Sequence, residues 1–467
     1  MVGMRVYLET MGCQMNRLDS ELLMELLTRA GHEMTDDRKR ADAVLYNTCS
    51  VRRHAEDKVH SRIGADAQRK RNHRPRMVLG VLGCMAQRLG EGLRNKYPEL
   101  DIVCGPSRLA ELPELLADAA EGRGGVRVAP DRPECPERPA LENIDALEAH
   151  RDPPAGQGPA QAFVRVMVGC DNFCTYCIVP YVRGPEVSRR PERIVEEVRR
   201  LAEAGRSEIT LLGQAVNRYE WRAGEASVRF SDLLERVSAV GGVRRLRFVT
   251  SHPKQFGDDV LAAMRDLPSV CPYMHCPAQS GSDAVLRRMN RGYARAEYDD
   301  LVDRARATVP DLALAGDFIV GFPGEPEADH EASAELIRRS GYKNSFVFKY
   351  SPRPGTTGAR NLPDNVPDEI KRRRNHELLA VQAEVGRAHH EALIGRTMEV
   401  LVEGPSRRAD RQPTPAGPGR TQLTGRTRGD HIVVFDGPES LAGRYVPARI
   451  TGATSLTLFG EWDGQAG

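Results

Sequence analysis

The chain has 467 residues, of which 40% are hydrophobic and 28% charged, and its formal net charge is +2 at pH 7. These values are typical of an ordinary soluble globular protein of about three domains. The small net charge excludes a global attraction to nucleic acid, and the absence of a signal peptide and of any apolar stretch near ~20 residues indicates a cytoplasmic protein without membrane contact.

Strand and helix patterns alternate through roughly the first 105 residues. A helix with leucines on one face follows the first strand and is expected to end at Gly31. This order predicts an α/β fold with a βαβ parallel sheet. The expected strands are Val6–Leu8, Val44–Tyr46, Val78–Leu82 and Ile102–Val103.

Three cysteines each stand just beyond one of the first three strands. Cys13, Cys49 and Cys84 are separated by 36 and 35 residues, one βα unit each. Ligands collect outside the carboxyl ends of parallel strands, so the three thiols are expected to share one metal site. Gly12 and Gly83 would allow close approach of the backbone to a bulky cluster. The alternative is three independent buried thiols, which are common in protein cores.

Residues 131–160 are rich in Pro, Gly and Ala and are interpreted as a linker. Strand patterns then recur between helical ones, which predicts a partial (β/α)6 barrel. The expected strands are Phe163–Val168, Ile209–Leu212, Leu246–Val249, Tyr273–His275, Asp317–Val320 and Phe346–Tyr350.

A second group of cysteines follows the first barrel strand. Cys170, Cys174 and Cys177 have the spacing C-x3-C-x2-C and no fourth ligand nearby. In a cytoplasmic protein such cysteines are better metal ligands than disulfide partners. The spacing argues against a zinc ribbon and favours a cubane iron–sulfur cluster with one free iron, where a substrate or cofactor can bind. The loop resembles the signature of the radical S-adenosylmethionine superfamily.

The last part of the chain changes character. A charged helix is expected from Pro367 to about Leu393, and residues 395–459 show the alternation of a small β-barrel. Arg407 and Arg408 lie in a basic run of this tail, and Arg426 lies in a second basic segment. Such runs are usually solvated faces, but a small barrel commonly binds RNA through basic groups.

Both cysteine groups and the sequences that flank them resemble the methylthiotransferase family of radical S-adenosylmethionine enzymes. Within that family the segments from Gly12 to Asn16 and from Asn47 to Val51 look like the tRNA branch called MiaB. Further similar segments are residues 211–214, 250–253, 279–282, 317–325 and 350–355. The family order implies a methylthiotransferase domain at 1–130, a linker at 131–160, a radical core at 161–393 and a TRAM RNA-binding barrel at 394–463.

The resemblance also implies the chemistry. Cys170, Cys174 and Cys177 would hold a [4Fe-4S] cluster that binds S-adenosylmethionine, and Cys13, Cys49 and Cys84 would hold an auxiliary [4Fe-4S] cluster that presents the sulfur. No catalytic residue is expected beyond these ligands. Gln214, Ser251, Gly321 and Gly324 end barrel strands and are the expected contacts to S-adenosylmethionine. Arg407, Arg408 and Arg426 are the expected contacts to RNA.

The implied reaction is radical methylthiolation of C2 of N6-isopentenyladenosine at position 37 of tRNA, with two S-adenosylmethionine molecules consumed. A flavodoxin-like electron donor and a monomeric state are expected. The main alternative is the same chemistry on a threonylcarbamoyl-adenosine tRNA or on an aspartate of a ribosomal protein. An iron–sulfur electron carrier would be expected to have complete four-thiolate ligation, and an RNA-binding module alone explains only the tail.

Overall fold

Three units follow one another along the chain, which a computed structural model describes at residues 3–50, 53–128, 141–149, 151, 158–406 and 419–464. The first unit contains one parallel sheet of six strands, in the order β2-β1-β3-β4-β5-β6. Its strands are β1 (Arg5–Met11), β2 (Glu33–Met34), β3 (Ala43–Thr48), β4 (Val78–Gly83), β5 (Ile102–Cys104) and β6 (Gly125–Arg127). Its helices are α1 (Gln14–Arg29), α2 (Arg53–His73), α3 (Cys84–Leu89), α4 (Glu91–Lys96) and α5 (Leu112–Ala120).

The two central strands of this sheet, β3 and β4, are buried along their whole length. Helices cover both faces, which explains why these strands are continuous apolar runs rather than alternating ones. The leucine face of α1 packs on one side of the sheet, and the side chains of Val59 and Ile63 from α2 pack on the other. Helix α1 ends at Arg29, just before Gly31, which has a left-handed φ of +87°. The predicted βαβ fold and the helix stop at Gly31 are confirmed.

The second unit is an open barrel. Its strands are β7 (Gln161–Arg165), β8 (Met167–Val168), β9 (Val187–Ser188), β10 (Glu208–Leu212), β11 (Glu220–Ala223), β12 (Ala226–Arg229), β13 (Arg245–Val249), β14 (Tyr273–His275), β15 (Ala313–Val320) and β16 (Asn344–Lys349). Before it lies α6 (Leu141–Ala149), and its own helices are α7 (Val179–Arg183), α8 (Pro191–Glu203), α9 (Phe230–Ser238), α10 (Asp258–Asp266), α11 (Asp283–Arg288), α12 (Arg295–Thr308), α13 (Glu327–Ser340), α14 (Thr357–Asn361) and α15 (Asp368–Glu391).

Six parallel strands form the wall of this barrel, as predicted. Strands β7, β10 and β13 make one half, and β14, β15 and β16 make the other. The halves meet where the Ser251 amide donates to the carbonyl of His275 at 3.1 Å. Strands β7 and β16 are the outer edges, so the wall is open between them.

The first unit covers the inner face of one half of the barrel. Phe163, Leu212 and Val249 stand in one half at inward positions and pack against the leucine core of the first unit. Arg17 of α1 lies over the Phe163 ring, 5.6 Å from its centroid. One half of the barrel is therefore closed by α1.

A buried network of ion pairs fixes the first unit to the barrel. Asp19 of α1 accepts from Arg165 and from Arg183, each at 2.8 Å. Glu148 of α6 pairs with Arg165, and it is 1% exposed. The segment predicted as a linker thus carries a nine-residue helix, which the Pro-rich composition concealed. Residues 131–140, 150 and 152–157 of that segment lie outside the described part, and the predicted domain boundaries stay predictions.

The third unit is a closed barrel in the order β17-β18-β19-β21-β20. Its strands are β17 (Thr397–Pro405), β18 (Thr421–Thr427), β19 (Ile432–Gly437), β20 (Tyr445–Ala453) and β21 (Thr457–Glu461). Closure leaves no free sheet edge, and the predicted small barrel is confirmed. In the described residues, no helix is long and apolar enough to cross a membrane.

The closed barrel sits at the amino ends of the open barrel's strands. Arg245, the first residue of β13, donates to the carbonyl of Arg426 at 2.8 Å, and Arg247 donates to that of Thr427 at 2.6 Å. Gln161, the first residue of β7, donates to Glu403 at 3.3 Å. The predicted cysteine loop follows the carboxyl end of β7. The two features therefore lie at opposite ends of the open barrel.

Histidines also join the closed barrel to α15. The Nε2 atoms of His389 and His431 are 3.0 Å apart, and Nδ1 of His390 lies 3.0 Å from the carbonyl of Thr454. Burial, followed by the charge of His390, lowers the pKa of His389 to about 4. This imidazole is therefore neutral in the folded protein at pH 7.

We expect acidification to weaken this junction. Because the unfolded chain binds the proton first, with a pKa near 6.5, the stability that His389 contributes is complete above pH 6.5 and is lost as the pH falls towards 4. The loss amounts to about 2 kcal/mol at pH 5. The free energy of unfolding of the wild type and of His389→Gln, measured by urea denaturation at pH 7 and pH 5, tests this. The variant should lose about 2 kcal/mol less than the wild type on acidification; equal losses would contradict the expectation.

Candidate functional site

The first cysteine group gathers at the carboxyl edge of the first sheet. Cys13 caps α1 directly after β1, Cys49 follows β3, and Cys84 begins α3 directly after β4. These strands are neighbours in the sheet. A hydrogen bond joins the thiols of Cys13 and Cys49, and the Cys13 charge reaches Cys84. The structure therefore brings together the three cysteines that the sequence placed at successive strand ends.

Two buried asparagines support this edge. The Cys13 thiol donates to Asn16 Oδ1 at 3.2 Å, and Asn16 Nδ2 donates to Asn47 Oδ1 at 3.1 Å. Gly12 and Gly83 also permit a second close approach, to these asparagines. A Cβ on Gly12 would lie 2.6 Å from the Asn16 amide oxygen, and one on Gly83 would lie 2.5 Å from that of Asn47. Both glycines therefore leave room for the asparagines beneath the thiols.

A buried arginine from the open barrel compensates the charge of this group. The hydrogen bond from Cys49, aided by the charge of Arg183, outweighs the effect of burial and lowers the pKa of the Cys13 thiol to about 6. Burial raises the pKa of Cys84, while Arg183 opposes the rise by its charge and by a hydrogen bond. Arg183 thus favours the thiolate form that metal binding requires.

The second cysteine group occupies a tight loop at the carboxyl end of β7 and β8. Cys170 is 9% exposed and Cys174 is 8% exposed, and the Cys177 amide donates to the carbonyl of Cys174 at 2.9 Å. Phe173 has a φ of 46°, an unusual value for an aromatic residue, which lets the chain turn inside the loop. Asn290 holds the turn by donating to the Phe173 carbonyl at 3.2 Å.

Arg291 is the charged neighbour of this second group. It is 6% exposed, donates to Cys174 Sγ at 3.4 Å and donates to the Pro277 carbonyl at 2.9 Å. Burial, followed by the charge of Cys174, raises the pKa of Cys177. Burial also raises the pKa of Cys170. Three thiols held this closely need positive charge to ionise together, and Arg291 with a bound metal would supply it.

Helix α7 lies next to both cysteine groups, because it begins two residues after Cys177 and packs against Cys84. Ile178 and Val182 of this segment pack against Cys84. Arg183, at the carboxyl end of the same helix, reaches Asp19 beside the first group. A single helix therefore connects the two sites, and the buried ion pair fixes their relative position.

The number of ligands in the two cysteine groups suits a cluster rather than one zinc ion. A structural zinc ion takes four protein ligands. Each group lacks a fourth protein thiolate in its sequence neighbourhood. This donor set suits an iron–sulfur cubane with one iron left for another ligand.

Two of the predicted cofactor contacts lie at the same end of the barrel. Gln214 follows β10 and Ser251 follows β13. Gln214 Oε1 and Ser251 Oγ are buried and have no hydrogen-bond partner among the described residues. Buried polar atoms are rarely left without partners. Their position on adjacent strand ends therefore fits a polar ligand such as S-adenosylmethionine.

The two predicted glycine contacts are less available. The Gly321 amide donates to Glu325 at 2.6 Å, and the Gly324 amide donates to Asn365 at 2.8 Å. Both glycines have a left-handed φ, as the turn after β15 requires. Since their amides are already bonded, a contact to a cofactor would have to come from another atom of this turn.

The predicted RNA contacts have different outcomes. Arg426 pairs with Glu403 at 3.1 Å and with Asp430 at 2.8 Å, so two carboxylates neutralise its charge. This pairing lies within the closed barrel and disfavours a phosphate contact, while the Arg426 carbonyl accepts from Arg245 of the open barrel. Arg407 and Arg408 lie outside the described residues.

Three further cysteines, Cys104, Cys271 and Cys276, are buried singly, and burial raises the pKa of each thiol. Asp19 and Arg291 were not predicted from the sequence, because their partners lie far away along the chain. The only indication of Arg183 in the sequence is its position in the segment next to the cysteine loop.

Replacing Asp19 by asparagine should destabilise the protein strongly. The change leaves the buried guanidinium groups of Arg165 and Arg183 without their shared carboxylate, which costs about 3–5 kcal/mol. Denaturant unfolding of the apoprotein measures the loss. Asp118→Asn is the matched control, because Asp118 forms an exposed pair with Arg123 at 2.8 Å; its expected cost is below about 1 kcal/mol. Equal losses in the two variants would show that the buried network does not hold the units together.

Comparison with known families gives three matches in chain order. "Uncharacterized protein family UPF0004" matches residues 5–105, "Radical SAM superfamily" matches residues 164–337, and "TRAM domain" matches residues 391–462. The first match contains the first cysteine group, and the second contains the other group. The third match covers the closed barrel.

Two curated relatives match nearly the whole chain. A protein of Rhodopirellula baltica named tRNA-2-methylthio-N(6)-dimethylallyladenosine synthase is 46% identical over 98% of this chain and 95% of its own length. A protein of the same name from Moorella thermoacetica is 42% identical, over 97% of each chain. Among solved structures, the radical S-adenosylmethionine methyltransferase TsrM from Kitasatospora setae has a TM-score of 0.56 and 15% identity, over 77% of this chain and 74% of that one. That likeness supports the fold alone.

Proposed function

This chain belongs to the family of radical S-adenosylmethionine enzymes named tRNA-2-methylthio-N(6)-dimethylallyladenosine synthase, and on that premise we propose which of its residues perform the methylthiolation. Its substrate is a tRNA, and its cofactors are S-adenosylmethionine and [4Fe-4S] clusters. Cys170, Cys174 and Cys177 hold the cluster that binds S-adenosylmethionine. Cys13, Cys49 and Cys84 hold the auxiliary cluster. The target is C2 of N6-isopentenyladenosine at position 37.

The observation that carries this proposal is the position of the two cysteine groups next to α7. Each group offers three thiols, and Cys84 packs against the helix that follows Cys177. When bound, the cofactors supply the radical that removes hydrogen from C2 and the methylthio group that replaces it. A substrate atom that must meet both cofactors requires their sites to be neighbours.

The remaining residues bind and orient the cofactors and exclude water from the reacting centre. Arg183 and Arg291 balance the negative charge of the two thiolate groups. Helix α1 closes half of the barrel interior with apolar side chains and so keeps water from the reacting centre. Gln214 and Ser251 are the proposed polar contacts to S-adenosylmethionine. The turn between Gly321 and Gly324 follows β15, which β14 separates from β13 in the barrel wall.

A flavodoxin-like protein would donate the electron, and the enzyme would act as a monomer in the cytoplasm. The closed barrel would bind tRNA, with Arg407 and Arg408 as proposed phosphate contacts. Arg426 is proposed to act at the junction of the two barrels, where its carbonyl accepts from Arg245.

Nucleoside mass spectrometry of tRNA tests the function. Cells that lack the gene should lose 2-methylthio-N6-isopentenyladenosine and accumulate N6-isopentenyladenosine, and a plasmid copy of the gene should reverse both changes. Persistence of the methylthio nucleoside would contradict the assignment. Loss of methylthiolated threonylcarbamoyl-adenosine, or of methylthio-aspartate in a ribosomal protein, would show that the enzyme performs the same chemistry on another substrate.

A further inference from the structure

An aromatic pair occupies the last strand of the open barrel. The rings of Phe346 and Phe348 on β16 stack with centroids 6.2 Å apart and an interplanar angle of 17°. Phe346 is 52% exposed, and it is the only strongly exposed large apolar residue on a strand of the open barrel within the described residues. A large apolar side chain left exposed beside a reaction site calls for a binding partner.

The strand register places this pair on the inner face of the barrel. Phe346 stands opposite Asp317, and Phe348 stands opposite Ile319. Side chains alternate between the two faces of a sheet. Phe318, between Asp317 and Ile319, points outwards and packs edge-on against Tyr342 at 5.7 Å. The two phenylalanines therefore share the inner face with Asp317 and Ile319.

This face belongs to the half of the barrel that α1 leaves open. In the other half, the inward residues Phe163, Leu212 and Val249 pack against the first unit. Phe346 has only part of its surface covered, and β16 is an edge strand. Asp317 also lies 3.5 Å from His275 Nε2, so polar groups border the aromatic pair.

The pair also lies between the closed barrel and the cysteine loop. Lys343, just before β16, pairs with Asp430 of the closed barrel at 3.0 Å. Beyond the other end of β16, the Gly358 amide donates to the carbonyl of Thr175 in the cysteine loop at 2.6 Å. Phe346 is three residues from Lys343, or about 10 Å along the strand. An RNA strand held by the closed barrel would pass this surface on its way to the clusters.

We propose that Phe346 and Phe348 form the surface on which the target adenine of the tRNA stacks after it leaves its own stack. This inference rests on the proposed function and identifies where the target base of the substrate binds. Enzymes that act on a base inside a nucleic acid take it out of the stack and hold it between aromatic or apolar side chains. Aromatic faces bind any base, and the isopentenyl group adds apolar area that Ile319 can cover.

The test uses the full chain with both clusters reconstituted anaerobically. The probe is an anticodon stem-loop that carries N6-isopentenyladenosine, and the measurements are its Kd by fluorescence anisotropy and its KM. Phe346→Ala should raise both by about 10- to 100-fold, which corresponds to the loss of one base–aromatic stack. Phe346→Tyr should restore them, because it keeps the ring. Leu379→Ala, at a residue 41% exposed on α15, is the control and should change neither.

Two adenines could occupy this surface, that of S-adenosylmethionine and that of the tRNA. The affinity for S-adenosylmethionine, measured without RNA, distinguishes between them. We expect Phe346→Ala to leave it unchanged. A lower affinity for S-adenosylmethionine with an unchanged Kd for the stem-loop would overturn the inference, as would an unchanged Kd and KM. If the wild type itself fails to convert the isopentenylated stem-loop, the proposed function fails. If the wild type converts it and Phe346→Ala does so with the same KM, only the stacking inference fails.

Discussion

Replacing Cys174 by alanine should abolish both the cleavage of S-adenosylmethionine and the methylthiolation of tRNA. Cys174 is the middle ligand of the second cysteine group, is buried beside Arg291, and has no replacement thiol in the loop. Two remaining thiolates cannot hold a cubane that keeps one iron open for the cofactor. The 5′-deoxyadenosine released from S-adenosylmethionine and the methylthiolated nucleoside, both quantified by mass spectrometry, should fall to background.

Cys104→Ala serves as the matched control for this change. Cys104 is also a buried thiol, but it stands alone at the end of β5. Its replacement should reduce stability by about 1–2 kcal/mol and leave turnover close to that of the wild type. Formation of 5′-deoxyadenosine by Cys174→Ala above background would remove the second cysteine group as the site of S-adenosylmethionine cleavage.

Replacing Cys49 by alanine should separate the two halves of the reaction. The second cysteine group stays intact, so 5′-deoxyadenosine should still form. The auxiliary group loses the thiol that hydrogen-bonds with Cys13, and methylthiolated product should fall at least about 100-fold, a loss of about 2.7 kcal/mol in transition-state stabilisation. Iron content should fall from about eight to about four per chain.

Full product formation by Cys49→Ala would refute the auxiliary role of the first group. Loss of 5′-deoxyadenosine together with product would show instead that the two sites fold as one. Cys84→Ala should behave like Cys49→Ala, because both thiols lie at the same sheet edge. A difference between them would mean that the three cysteines do not share one cluster.

The cysteine groups could be predicted because local patterns specify them. Each of Cys13, Cys49 and Cys84 follows an apolar strand, and parallel strands end at one edge of a sheet. The positions of the cysteines along the chain therefore predict that the three thiols lie close together. The loop from Cys170 to Cys177 needs no distant contact to be recognised. The same logic gave the six barrel strands and the closed barrel.

The residues that couple the two sites could not be predicted, because their partners are distant in sequence. Asp19 and Arg183 are 164 residues apart, and nothing in either local pattern points to the other. Helix α6 was concealed in a Pro-rich segment, where its buried ion pairs outweigh the local composition. Arg426 was predicted to contact RNA from its basic segment, which did not indicate its ion pairs with Glu403 and Asp430.

The iron content of the anaerobically reconstituted protein tests the presence of two three-thiolate clusters most directly. We expect about eight irons per chain in the wild type, and about four in each of two triple alanine variants. One variant replaces Cys13, Cys49 and Cys84, and the other replaces Cys170, Cys174 and Cys177. A wild-type value near four, with no loss in the first variant, would contradict the presence of an auxiliary cluster.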